Sequence, residues 1–198
     1  MKRLLPTLLL AGAIALPAAA ALKSGEPAPD FTTKASLAGK EFEFSLAAAL
    51  KKGPVVVYFY PSAYTGGCNV EAHAFAVNKA KFDAAGATII GVSQDSIARL
   101  NDFSADPDYC AGEFPVASDP DGKIARSYDL KATALKTPMK DSRGNVIDHA
   151  FTERTTFVIA PDAHIVKTFS SADDKISSEE HVTRALAAVT DMGTAKTM

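Results

Sequence analysis

The chain has 198 residues, 21 basic and 23 acidic side chains and a formal net charge of −2; 47% of it is apolar and 22% charged. These proportions exclude a disordered or collagen-like chain and fit one globular domain with room for a short appendage. Near-neutral charge, with no block of like charges, excludes the electrostatic footprint of a nucleic-acid binder.

Lys2 and Arg3 precede an apolar run from Leu4 to Leu16, then Pro17 and the small stretch Ala18 to Ala21. A basic start, a short apolar core and an A-x-A site are the three parts of a secretory signal peptide. The alternative is an uncleaved anchor helix, but Pro6 and Pro17 interrupt a run already short of the roughly 20 residues that span a bilayer. Ala13 stands where a lipidated cysteine would have to be. Cleavage after residue 21 removes only the charges of Lys2 and Arg3, leaving a mature charge of −4. The expectation is an exported protein, periplasmic or secreted, with no membrane association after cleavage. Its domain spans 22–192 and a tail follows over 193–198.

Residues 22–30 are rich in Pro and should be extended. Val55 to Tyr60 is a continuous β-branched and aromatic run bounded by Gly53-Pro54 and Pro61, which reads as a buried central strand. Gly66-Gly67 lead into a helix from about Cys68 to Ala85, with Phe75 and Phe82 a heptad apart on one face. Ala87 to Ser93 is the next buried strand, so the unit is βαβ with parallel strands. A second helix runs from near Ser96 towards Ser104, stopped by Asp106-Pro107. Phe114 to Ala117 forms a short strand, and Asp119 to Gly122 turns into a short helix ending near Tyr128. Residues 131–150 are polar and carry no clear period. Thr155 to Ile159 and Ile165 to Phe169 form a hairpin around a five-residue loop. The last helix has Ser177 as N-cap, Glu180 as the partner of a capping box, and a stripe of Val182, Ala185, Leu186 and Val189.

Two cysteines, Cys68 and Cys110, must be explained. For an exported chain the plain reading is one structural disulfide. Cys68, however, falls where a buried strand ends and a helix begins, and the free N–H groups and dipole of a helix start favour a thiolate. Thr65 adds a hydroxyl that can donate and accept, Gly66 and Gly67 allow close approach of a small substrate, and Pro61 closes the strand with a rigid wall. The four histidines show no ligand spacing, position 72 is Ala rather than the second Cys of C-x-x-x-C, and Glu71 breaks a C-x-x-C. No metal or cofactor is expected.

The stretch Pro61-Ser62-Ala63-Tyr64-Thr65-Gly66-Gly67-Cys68 resembles the P-x-x-x-T-x-x-C signature of the peroxiredoxins (AhpC/TSA family), and Glu71 matches a carboxylate often found three residues later. Gly91-Val92-Ser93, Ser118 to Gly122 and Arg154 to Ile159 look like the same family. The resemblance spans about 24–190 and is nearest to the bacterioferritin comigratory protein (peroxiredoxin Q) branch. It implies an α/β thioredoxin-like fold, a central mixed sheet flanked by helices, as the βαβ then ββα order also does. It implies a thiol-dependent peroxidase acting on hydrogen peroxide or alkyl hydroperoxides, re-reduced by a thioredoxin-like protein or a small thiol, as monomer or homodimer. Cys68 would be the peroxidatic thiol, Thr65 and the Cys68 N–H would orient peroxide, and Arg154 would lower the thiol pKa. Pro61 would shield the sulfenic acid, and Glu71, with Gly67 beside it, would support by holding Arg154. A surface ion pair of little consequence is the alternative for Arg154 and Glu71.

The sequence departs from the family pattern at three points. Gly66 replaces the common Pro or Phe after the Thr. His73 stands five residues past Cys68, where many members of the branch place a resolving cysteine. No cysteine follows Cys110, so Cys110 is the internal candidate for the resolving thiol, at or just past the end of the second helix. A non-catalytic module with an inert Cys68–Cys110 disulfide remains the alternative.

Overall fold

The computed structural model describes residues 21–195. The expected signal peptide therefore lies, but for Ala21, outside the described residues. A seven-stranded sheet forms the centre, built from β1 (Thr32–Leu37), β2 (Lys40–Ser45), β3 (Val55–Phe59), β4 (Thr88–Ser93), β5 (Val116–Ser118), β10 (Thr155–Ile159) and β11 (Ile165–Ser170). Its order is β11-β10-β3-β4-β5-β1-β2. β3, β4 and β5 run parallel, with β10 antiparallel to β3 and β1 antiparallel to β5. The sheet is mixed and its fold thioredoxin-like, as expected.

Alternation along β3 divides the core into two layers. Val56, Tyr58 and, just past the strand, Tyr60 face one cluster, which is covered by α2 (Gly66–Ala84), α3 (Ile97–Ala105) and α6 (Ser178–Ala195). Val55, Val57 and Phe59 face the other, under α1 (Leu46–Leu50) and α4 (Lys123–Ser127). A strand buried on both faces needs no polar alternation, which is why the Val55 to Tyr60 run is apolar throughout. Phe75 and Phe82 are fully buried beneath α2.

The capping box forms. The Ser177 N–H donates to Glu180 at 2.9 Å and the Glu180 N–H donates to the Ser177 hydroxyl at 3.2 Å. Such a cap is worth about 1 kcal/mol and fixes where α6 begins, close to the site described below. α6 continues to Ala195, three residues beyond the expected boundary at Met192. The lead-in is not extended throughout: it turns at Ser24-Gly25, where Gly25 has φ of 93° and the Glu26 N–H donates to the Lys23 carbonyl. It reaches β11 through the Gly25 N–H to the Ile165 carbonyl and the Ile165 N–H to the Glu26 carbonyl.

Elements without a sequence expectation are the β1–β2 hairpin, α1, and α5 (Ser171–Asp174). Residues 131–150 hold three two-residue strands, β6 (Ala132–Thr133), β7 (Met139–Lys140) and β8 (Val146–Ile147), followed by β9 (Phe151–Thr152). β6 pairs with β9 and β7 with β8, so this excursion forms two minimal ladders outside the main sheet.

Candidate active site

The chain leaves β3 at Phe59, turns through Pro61 to Tyr64 and enters α2 with Thr65 as N-cap. The Asn69 N–H donates to the Thr65 carbonyl, the first bond of the helix, so the N–H groups of Gly66, Gly67 and Cys68 precede the ladder. Tyr64 adopts φ of 60°, a left-handed conformation costing a non-glycine residue about 1–2 kcal/mol. The cost is offset by contacts. Tyr64 is buried, its carbonyl accepts the Ser142 N–H at 2.9 Å, and the Arg143 guanidinium lies 3.3 Å from its ring centroid. This turn directs Thr65 and Cys68 inward.

Cys68 is buried, and the Arg154 Nη2 donates to its Sγ at 3.2 Å. The other terminal nitrogen of Arg154 pairs with Glu71, one turn along α2. Glu71 is fully buried and the Arg154 side chain is only 10% exposed, so the surface ion pair considered above is not what forms. Burial explains the consequences. It pushes Glu71 up to about 7 even against the pull of Arg154. Burial also pushes the Cys68 thiol up, and the Arg154 charge, the Thr65 hydroxyl and the Ser62 backbone pull it down without fully offsetting burial. The Arg154 charge pulls the thiol pKa down but, buried as it is, the thiol stays above its ordinary range.

Gly67 lies directly against the guanidinium. A Cβ there would come within 3.2 Å of Arg154 Nη2 and 3.1 Å of the Ser178 hydroxyl, so its missing side chain makes room for the guanidinium. At Gly66 a Cβ would meet nothing within 4 Å. Pro61 is half-buried at the turn. The Thr65 hydroxyl donates to the Ser62 carbonyl at 2.8 Å, which holds its lone pairs and the helix start in a fixed relation.

Cys110 lies in the turn after α3, fully buried in the same core cluster as Cys68, and both thiols are free. Burial pushes its thiol well up, helped by Asp106. The turn caps α3: the Ala111 N–H donates to the Asp106 carbonyl and the Gly112 N–H to the Ser104 carbonyl, each at 2.8 Å. Tyr109 packs on Phe103 at 5.5 Å and edge-on to Tyr64 at 5.6 Å, joining this turn to the loop before Cys68. His73 Nδ1 lies 3.1 Å from the Asp108 carbonyl, tying the same turn to α2.

Sequence reading missed a second set of residues behind the loop: Asp95, Arg99, Asp141 and His149. Asp95 follows Gly91-Val92-Ser93 by two positions, and nothing in its composition marks it as buried. His149 sits in the excursion that has no period. His181, from α6, lies between the Thr156 and Ser171 hydroxyls at 2.9 Å each, and burial together with the charge of Arg154 pushes it down to about 4. Among the described residues no His, Cys, Asp or Glu cluster could hold a metal.

A thioredoxin-like sheet that delivers a buried cysteine to the first turn of a helix, under an arginine from a late strand, defines a thiol-based oxidoreductase. Known proteins narrow the class. The AhpC/TSA family model matches residues 24–168. Peroxiredoxin Bcp of Xanthomonas campestris is 33% identical over 135 residues, 68% of this chain and 75% of the relative. The crystal structure of peroxidoxin BcpB from Mycobacterium tuberculosis superposes with a TM-score of 0.68 at 28% identity, covering 85% of this chain and 96% of that one. The bacterioferritin comigratory protein of Xanthomonas campestris, whose structure is described for its alkyl peroxide reduction activity, gives 0.62 at 30% identity over 81% and 91%. This chain belongs to the AhpC/TSA family, in the bacterioferritin comigratory protein branch of the peroxiredoxins, and is a thiol-dependent peroxidase.

Proposed function

We propose that Cys68 is the peroxidatic thiol of an exported peroxidase and that Cys110 resolves it. The observation that carries the first part is the 3.2 Å contact from Arg154 to the Cys68 sulfur, with Glu71 buried behind the same guanidinium. Loss of the thiol proton leaves a thiolate facing a cation. Its sulfur attacks one peroxide oxygen in line; the S–O bond forms as the O–O bond breaks, and the departing oxygen takes a proton to leave as water or alcohol. Arg154 and the helix-start N–H groups are the donors on hand for that developing charge, while the Thr65 hydroxyl, its proton on the Ser62 carbonyl, turns lone pairs to the peroxide O–H. Pro61 walls the pocket against water.

Cysteine sulfenic acid then remains at Cys68. In the resolving step the Cys110 sulfur displaces that hydroxyl as water, giving a Cys68–Cys110 disulfide, and an external dithiol returns both to thiols. The relatives' name implies a peroxide substrate and a thiol reductant. Cys110 is buried and sits in a turn bracketed by Pro107 and Gly112, so bridging requires the turns around 65–70 and 105–112 to open. The Tyr64–Tyr109 contact has to part in that step. Export rests on the basic, apolar and small-residue segments of positions 1–21, and N-terminal sequencing of protein from the periplasmic fraction tests it.

Mass spectrometry after one equivalent of hydrogen peroxide tests resolution. Wild type should lose two mass units, form an intramolecular disulfide and leave no alkylatable thiol. Persistent sulfenic or sulfinic acid on Cys68, with Cys110 still alkylatable, would make this a one-cysteine enzyme.

A further inference from the structure

Each residue from Ser62 to Tyr64 is held from outside the loop, and the contacts to the first two converge on Asp95. Asp95 is fully buried just past β4. One carboxylate oxygen accepts the Ala63 N–H and the Ser93 hydroxyl, both at 2.7 Å. The other accepts the Ser62 hydroxyl at 2.9 Å. Nε2 of His149 lies 2.9 Å from that second oxygen, and its Nδ1 lies 2.9 Å from the Ala150 carbonyl. The Ser62 hydroxyl is also 3.4 Å from Nε2, but its proton goes to Asp95 at 2.9 Å, so both ring nitrogens face acceptors and the arrangement is satisfied when both carry a proton. The ring is a part-buried imidazolium paired with a fully buried carboxylate.

We propose that His149 is a positioning residue for peroxide reduction: it pins Asp95, and Asp95 sets the Ser62–Ala63 backbone from which Thr65 and Cys68 hang. The link to the reacting atoms is short, because the Thr65 hydroxyl donates to the Ser62 carbonyl at 2.8 Å. Arg99 cannot replace His149. Its Nε makes an ion contact with Asp95 at 2.8 Å, but its Nη2 is already committed to the Ala63 carbonyl and to Asp141, each at 2.8 Å. Without His149 the carboxylate turns towards Arg99 and away from the loop. Neither His149 nor Asp95 hydrogen-bonds or ion-pairs with Cys68, so the effect passes through geometry and leaves thiol ionisation largely alone.

The inference rests on Cys68 being the nucleophile, and two readouts on the full-length protein keep the two ideas apart. One is the rate of Cys68 oxidation by hydrogen peroxide in competition with a haem peroxidase. The other is iodoacetamide alkylation of Cys68 across pH, which reports its ionisation. His149→Ala should slow peroxide oxidation about tenfold or more, with alkylation changed less than about twofold. His149→Gln, which still offers an N–H to Asp95, should recover to within about threefold of wild type. Unchanged peroxide oxidation in His149→Ala would overturn the proposal, as would both reactions falling in parallel in both variants. If His149→Ala does not fold, Ser62→Ala probes the same link from the loop side and should slow oxidation about threefold; an unaltered rate would overturn it. Failure of the underlying reading looks different: wild-type Cys68 would then react with peroxide no faster than a free thiol.

Discussion

Arg154 places a single guanidinium between two acids, the Cys68 thiol and the Glu71 carboxyl. Cys68 gains most from Arg154 as it ionises, since burial otherwise opposes its charge. Arg154→Ala should therefore slow the reaction of Cys68 with peroxide by about tenfold or more and move the thiol pKa further up. It also leaves Glu71 buried without its cation, so the comparison must be made on protein verified as folded. Arg154→Lys should recover little, because an ammonium is a point donor and cannot serve both partners as the fork does. A folded Arg154→Ala protein with wild-type rate and thiol pKa would remove Arg154 from the mechanism. The position of Arg154 was legible from the Arg-Thr-Thr-Phe-Val-Ile run; the burial of Glu71 was not, since a carboxylate on a helix is ordinarily solvated.

At the scale of elements, the start of α2 and the start of α6 meet around that guanidinium and carry two titrations of opposite sign. Glu71 on α2 is raised to about 7, so the folded state binds its proton more tightly than the unfolded chain. Its contribution to stability is present below about pH 4.5 and is lost as pH rises towards 7. His181 on α6 is lowered to about 4, so its contribution is present above about pH 6.5 and is lost as pH falls towards 4. Over pH 4.5–6.5 the two slopes oppose each other, each by up to about 1.4 kcal/mol per pH unit. Urea unfolding across that range checks this: relative to wild type, Glu71→Gln should make stability rise more steeply with pH, and His181→Asn should make it fall more steeply. Equal slopes in all three proteins would contradict the buried titrations.

The same scale shows where pattern reading succeeds and where it stops. α6 was legible because Ser177 and Glu180 form its cap, and β3 because an apolar run flanked by Pro and Gly has few other folds. The β1–β2 hairpin escaped because its turn, Ala38-Gly39, has φ of 50° and 78°, and only the second of those residues advertises a left-handed turn. Residues 131–150 escaped because two-residue ladders leave no period. That is costly for reading the site, since Asp141, Arg143 and His149, which hold the loop before Cys68, all come from there.

For the whole molecule, the sheet and the helices on its two faces bring distant segments to one end of β3. The loop after β3, the loop after β4, the excursion before β10 and the start of α6 all converge there, and three of these four come from parts of the chain more than 25 residues away from Cys68. Cys110 joins them from the turn after α3, inside the same core cluster. Sequence reading could place Cys68 at a helix start; the assembly around it depends on the order β10-β3-β4-β5, which the βαβ and ββα units imply only once they share a sheet. In the proposed peroxidase this assembly makes the Cys68 sulfur the atom that meets peroxide. The most direct test is steady-state peroxide consumption with a thiol reductant by wild type and folded Cys68→Ser protein. Cys68→Ser should lose essentially all turnover, because a serine hydroxyl is not ionised near neutral pH; turnover retained by the folded variant would contradict the account.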